Sequence, residues 1–211
     1  MKVIVGMATT SARKEFAEIA MASLRDQVDS IILYNNDEYA NDLTDNGKFY
    51  GLNFIEEPCY YFTCDDDIIY PATYVKDMIA KIEEYGCIVT HHGRRLKGLN
   101  VEYYRGHYGY RCLSFNPADY PIEVAGTGVT AFRTDYFFCP ELSHANDKRM
   151  ADCIFSLEAM KQGKKIMVLA HKEDYFQGLE VPRELTIYAM EKDNATRQME
   201  ICNEIYKLKT K

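Results

Sequence analysis

The run Cys59-Tyr60-Tyr61-Phe62-Thr63-Cys64 stops against three consecutive aspartates, Asp65, Asp66 and Asp67, and no other feature of the sequence constrains the fold as much. A short apolar, aromatic-rich segment of this kind reads as a buried strand. Three adjacent carboxylates cannot continue it through a core, because like charges a few ångströms apart repel and raise one another's pKa. The strand must end where water or a cation reaches the aspartates. In open α/β sheets that place is the crevice beyond the carboxyl ends of the strands, where ligands bind.

The rest of the chain supplies such a sheet. Lys2 to Met7 (KVIVGM) is an apolar, β-branched run suited to a buried parallel strand. After ATTSAR, the segment KEFAEIAMASLRDQ places Phe16, Ile19, Ala20, Ser23 and Leu24 near a 3.6-residue period, with Ser11 as its expected N-cap. SIILYNN (30–36) is a second strand, so the opening is a βαβ unit. Residues 37–51 are polar and turn-rich and are expected to be exposed. Ala72 to Tyr85 keeps helical spacing behind Pro71, and CIVT (87–90) is another buried strand. Residues 91–123 show no sustained period and read as an irregular insertion over a binding face. EVAGTGVTAF (123–132) returns to strand character, with two glycines where a backbone or ligand approaches closely. A helix over 149–163 ending at Gly163, a strand over 165–171 and a final helix over 195–209 complete the pattern. The fold class is α/β, one domain over 1–177 with a mostly parallel, Rossmann-like central sheet flanked by helices, followed by a tail over 178–211.

A length of 211 residues suits one core, and 47% hydrophobic with 27% charged residues is an ordinary globular balance. No apolar run approaches the roughly 18 residues of a membrane span, and the N-terminus reads as a first strand rather than a signal peptide. Seven cysteines, an odd number with no CxxC pair, indicate a reducing compartment, and a cytoplasmic location is expected. Residues 1–90 carry 7 Lys/Arg against 16 Asp/Glu, whereas 91–211 carry 18 against 16. An acidic first half suits a cation site, and the more basic remainder suits an anionic donor or acceptor.

Hard divalent ions take oxygen ligands, and Mg²⁺ or Mn²⁺ prefers one or two carboxylates completed by substrate phosphates. Side chains alternate along an extended segment, so Asp65 and Asp67 are expected to share the crevice while Asp66 points elsewhere. Asp67 is the expected metal ligand, with Asp65 on the ribose or the metal; the plainer reading is a solvated acidic turn capping the next helix. Zinc is disfavoured, since the histidines show no short paired spacing. Residues 91–111 hold five Lys/Arg, three His and four Tyr against a single acid, Glu102. Basic groups beside aromatic faces serve sugar rings or single-stranded nucleic acid, so the acceptor is expected here, a glycan or a nucleic acid.

In order and spacing, VIVGMATTSAR, ASLRDQVDSIILYNN, DNGKFYG, YYFTCDDDIIYP, AGTGVTAF and MADCIFSLEAMKQGKKIMVLAH resemble the GT-A fold of nucleotide-sugar glycosyltransferases, in particular the family 2-like inverting enzymes, over roughly residues 3–171. The resemblance implies a metal-dependent transfer from a nucleotide-diphosphate donor, UDP-sugar first, to an acceptor hydroxyl with inversion. It implies that Ala8, Thr9, Thr10, Arg13, Asn36 and Asp37 frame the nucleotide and that Lys48, Asp65 and Asp66 contact the donor. It gives Asp152 the part of catalytic base, with Asp147 as the fallback, and brings His171 to the metal beside Asp65 and Asp67. His92, Arg94, Arg95, Tyr103 and the turn Gly126-Thr127-Gly128 would face the acceptor, and the tail over 178–211 would order over the donor. Two other readings stand beside this one. A sugar nucleotidyltransferase also holds metal on aspartates, but the loop ATTSARKEF lacks its GxGxR pattern. A non-catalytic glycan- or nucleic-acid-binding module would keep the fold without the chemistry.

Overall fold

A computed structural model describes residues 1–191 and 195–210. In chain order its strands and helices are β1 (Lys2–Thr9), α1 (Lys14–Leu24), β2 (Ser30–Asn35), β3 (Cys59–Cys64), β4 (Ile68–Ile69), α2 (Tyr74–Tyr85), β5 (Ile88–Thr90), β6 (Gly93–Arg95), β7 (Tyr108–Tyr110), β8 (Tyr120–Ile122), β9 (Val124–Ala125), β10 (Val129–Arg133), α3 (Ala151–Lys161), β11 (Ile166–Val168), β12 (Gln177–Gly178), α4 (Ile187–Glu191) and α5 (Thr196–Lys209). The central sheet has seven strands in the order β2-β1-β3-β10-β5-β11-β8. β2, β1, β3, β5 and β11 share one direction; β10 and β8 run against it.

Strand periodicity divides the core. On β3 Tyr61 packs into one cluster and Phe62 into the other; on β10 Phe132 and Ala131 divide the same way, as do Ile88 and Val89 on β5. Val5 and Met7 join Phe62 beneath α1 and α2, which bury Ala17, Ala20, Leu24, Val75, Met78 and Ile82. On the opposite face Tyr61 and Phe132 meet Phe155 of α3 and Ile201 and Ile205 of α5. A sheet covered on both faces needs the near-continuous apolar strands that this sequence has.

Register carries the chemistry to one edge. β1 pairs with β2 so that Thr9 faces Asn35, and with β3 so that Met7 faces Cys64. The loops following all three strands therefore adjoin. Because β10 is antiparallel to β3, with Val129 opposite Cys64, the turn that leads into it also lies at this edge, and Asp65 donates its N–H to the Gly128 carbonyl at 3.2 Å. A β10 parallel to its neighbours would have carried that turn to the far end of the sheet.

Several local expectations are corrected. Residues 44–54 form 3-10 helix and bury Asn46, Lys48, Phe49 and Leu52, where an exposed loop is expected. Glycine explains the change: a Cβ on Gly47 would lie 2.8 Å from the Tyr34 ring, so the segment seats itself on β2 only without one. Phe49 then stacks on Phe155. Ser11 does not cap α1; its N–H is held by Asp37 Oδ2 at 2.6 Å. Ile19 is exposed, because the buried face of α1 runs through Ala17, Ala20 and Leu24. The 91–123 segment is not wholly irregular: β6 pairs antiparallel with β7 inside it and with β9 just beyond it, forming a small three-stranded sheet, while β8 joins the central sheet. The segment after residue 177 is divided in role: α5 buries Ile201, Cys202 and Ile205 in the core, while Leu179 donates its N–H to the Asp67 carbonyl at 2.8 Å.

Candidate active site

The aspartate turn begins where β3 runs out of partners. Asp66 turns inward, is buried, and accepts the Thr9 hydroxyl at 2.6 Å and the Arg13 guanidinium. Asp65 and Asp67 are more open, with side chains 40% and 31% exposed. Arg13 Nη2 also reaches Asp67 at 2.9 Å, and Arg13 Nη1 donates to the Leu185 carbonyl at 3.0 Å. Asp65 is paired with Lys48 Nζ, whose side chain is only 5% exposed. Tyr70 fixes the turn: its hydroxyl accepts the Asp65 N–H at 2.8 Å and donates to the Gly128 carbonyl at 2.7 Å.

Electrostatics follow from this geometry. Burial disfavours charge on Asp65, but the Lys48 ammonium outweighs it and holds the carboxyl below its ordinary value. Burial and the neighbouring Asp65 push Asp67 up to about 6, against the pull of Arg13. Burial also raises Asp66. Three carboxylates thus meet two cations, and the surplus negative charge lies at Asp67. Asp65 and Asp67 offer the hard oxygens that Mg²⁺ or Mn²⁺ takes. Among the described residues no three His, Cys, Asp or Glu groups converge to hold a metal. A divalent ion held by two carboxylates would need oxygens from outside the protein to complete its coordination.

Asp152, in the first turn of α3, stands across a cavity of about 650 Å³ that is also lined by Asp65, Lys48, His92, Arg94 and Thr127. Thr127 connects the two sides. Its backbone N–H and its hydroxyl each donate to Asp152 Oδ1, while Lys48 Nζ approaches the same hydroxyl at 3.5 Å. The two glycines flanking Thr127 allow this. A Cβ on Gly128 would lie 2.0 Å from Asp65 Oδ2, and one on Gly126 would lie 2.6 Å from the His92 ring. Asp45 closes the arrangement by accepting the Ala151 N–H at 3.0 Å, which caps the start of α3.

The other sequence candidates distribute as follows. Ala8 and Thr9 end β1, and the Thr9 hydroxyl reaches Asp66; the Thr10 carbonyl accepts the Arg13 N–H, and Asp37 accepts the Ser11 N–H. Asn36 spends its amide on the loop itself, donating to the carbonyls of Thr9 and Thr44 and accepting from Leu43 N–H. His92, Arg94 and Tyr103 line the cavity. Arg95 lies instead in a neighbouring groove of about 440 Å³ with Tyr108 and Phe115. Asp147 is paired with Arg197 and does not line the cavity. His171 is buried: its Nδ1 lies 3.0 Å from the Leu169 carbonyl and 3.3 Å from His91 Nδ1, and its Nε2 lies 3.2 Å from the Arg111 carbonyl. Sequence reasoning missed Asp45, Tyr70, Arg149 and Tyr188 as site residues. Asp45 and Tyr70 stand within the segments DNGKFYG and YYFTCDDDIIYP and so carried a signal, whereas Arg149 and Tyr188 stand in no motif.

No family model and no curated protein matches the chain. Among solved structures it is similar to S. aureus TarS 1-349, with a TM-score of 0.50 and 14% identity over 97% of this chain and 70% of that one. That protein is a GT-A-type glycosyltransferase. At such identity the likeness is one of fold: a mixed α/β domain with a seven-stranded, mostly parallel sheet flanked by helices. No helix among the described residues is long and apolar enough to cross a membrane.

Proposed function

We propose that this chain is a glycosyltransferase that moves a sugar from a nucleotide-diphosphate donor, a UDP-sugar in the first instance, to an acceptor hydroxyl with inversion, using Mg²⁺ or Mn²⁺. The observation that carries the reading is the placement of Asp65 and Asp152 on one cavity, joined through Lys48 and Thr127. A GT-A-type fold agrees with it but does not select the chemistry.

In this reading Thr9, Thr10, Arg13 and Asp37 surround the nucleotide end of the donor, and Asp65 and Asp67 hold the ion. When bound, the ion neutralises the diphosphate as it leaves. The protein's own groups do the rest. Lys48 stays protonated because Asp65 and Asp45 outweigh its burial, so it presents a fixed positive charge beside the sugar site. Asp152 takes the acceptor proton as the hydroxyl oxygen attacks the anomeric carbon. Thr127 occupies Oδ1 of that carboxylate, which leaves Oδ2 for the acceptor. The segment from Leu179 to Tyr188 touches the aspartate turn and Arg13 and lines the cavity, which suits exclusion of water from the donor.

The test is UDP release from a panel of UDP-sugars with Mn²⁺, with and without EDTA. Release that stops with EDTA, with Asp65→Ala plus Asp67→Ala, and with Asp152→Asn supports the reading. Turnover that survives those substitutions sinks it, and pyrophosphate release from a nucleoside triphosphate would move the chain to the nucleotidyltransferases.

A further inference from the structure

The cavity sorts its charges. Its acids are all engaged: Asp65 by Lys48, Asp152 by Thr127, and Asp45 by the Ala151 N–H. Three of its four arginines meet no carboxylate among the described residues. Arg149 is paired with Glu191, but Arg94, Arg105 and Arg111 have no carboxylate partner among the described residues. Arg94 is the most telling of the three. Its guanidinium lies 4.1 Å from the centroid of the Tyr103 ring and donates to the Tyr103 carbonyl and hydroxyl, both at 3.2 Å, so it is held in one orientation. It is half-buried, and the Asp152 carboxylate on the same cavity acts on it at longer range without forming an ion pair. Arg105 and Arg111 are exposed around it, and Arg111 also borders the groove that holds Arg95, Tyr108 and Phe115. An acceptor lying in that groove would meet Arg111 at the mouth of the cavity.

We infer that the acceptor bears an anionic group, a phosphate or a carboxylate, that Arg94, Arg105 and Arg111 bind while its hydroxyl faces Asp152. The inference rests on the transferase reading for the part Asp152 plays, but the arginine site itself does not. Guanidinium groups recognise both anions through paired, charge-assisted hydrogen bonds. Nucleic acid is the weaker occupant. The chain carries a net charge of −7, which repels a long polyphosphate, and Tyr103 is buried under Arg94 rather than offered as a stacking face.

The experiment is calorimetry at saturating UDP and Mn²⁺ with glucose, glucose 6-phosphate and glucuronate as probes, alongside a short single-stranded thymidylate oligomer. The anionic sugars are expected to bind at least about ten-fold tighter than glucose, and Arg111→Gln and Arg94→Gln are each expected to cut that preference by about ten-fold with UDP affinity unchanged. Arg111 is exposed, so its variant tests the site even where Arg94→Gln folds poorly, and Arg94→Lys separates charge from geometry. Equal binding of glucose and glucose 6-phosphate overturns the inference. So does a preference that survives both substitutions, a parallel fall in UDP affinity that would place the donor diphosphate on the arginines, or tighter binding of the oligomer. A stronger dependence of UDP-glucuronate than of UDP-glucose on Arg94 and Arg111 would put the anion on the donor and equally overturn it. Should UDP fail to bind the wild type, the transferase reading falls, while the same titrations without nucleotide still decide the arginine site.

Discussion

Thr127 donates two hydrogen bonds to a single oxygen of Asp152, one from its backbone N–H and one from its hydroxyl, each 2.8 Å long. This fixes the plane of the carboxylate and leaves its second oxygen toward the cavity. Asp152→Asn is expected to lower kcat by about 10² to 10⁴ with UDP affinity retained. Thr127→Val keeps the backbone bond and loses the hydroxyl, so kcat should fall by about ten-fold at constant donor KM. Thr127→Ser should restore it. Steady-state UDP release checks all three variants.

Lys48 and Asp65 form a pair of which one member is buried and the other borders the cavity. Lys48→Met leaves Asp65 beside Asp67 without its counter-charge and should lower the urea midpoint. Adding Asp65→Asn should recover part of the loss. A double-mutant cycle is expected to give a coupling of about 0.5–3 kcal/mol, as for residues in direct contact. Additive losses would mean that the pair is not formed in solution.

Gly128 approaches the Asp65 carboxylate more closely than any side chain allows. With a Cβ 2.0 Å from Asp65 Oδ2 and 2.4 Å from its Cγ, Gly128→Ala must displace Asp65. The expected result is a stability loss of about 1–3 kcal/mol from overpacking. Mn²⁺-dependent UDP affinity should fall as well, and calorimetry with and without Mn²⁺ reads that second effect.

His91 is buried against His171, Tyr175 and Phe176, and burial together with the neighbouring His171 pushes its pKa down to about 3. The unfolded chain takes up a proton at this residue below about 6.5, whereas the folded chain refuses it until about 3. The unfolded state therefore binds more protons across that window, and stability falls on acidification by up to about 1.4 kcal/mol per pH unit. His91→Phe should flatten the dependence of the urea midpoint on pH between about 6.5 and 4.5. An unchanged slope would mean that the native protein already carries the proton.

The aspartate turn, β1 to β3, α2 and α3 were legible because each is a local pattern. Period and propensity within a dozen residues distinguish KVIVGM from KEFAEIAM, and three carboxylates in a row declare themselves. The buried 44–54 segment was not legible: its polar, glycine-containing sequence reads as a loop, and only the contact of Gly47 with the Tyr34 ring shows why it packs. Asp152 came from a resemblance rather than from its own surroundings, since an acid in the first turn of a helix satisfies the helix dipole with no other purpose.

The sequence by itself determined that an apolar strand would deliver clustered negative charge to the edge of an α/β sheet, because alternation and like-charge repulsion act between neighbours in the chain. The tertiary structure decided which partners meet that charge. Lys48 reaches Asp65 from 17 residues away, and Thr127 reaches Asp152 from 25 away, across a strand whose direction no local pattern specifies. The same long-range packing turned His171 toward His91 and the Leu169 and Arg111 carbonyls. Pairing at such separations is set by sheet order and register, and those are properties of the assembled core rather than of any segment of it.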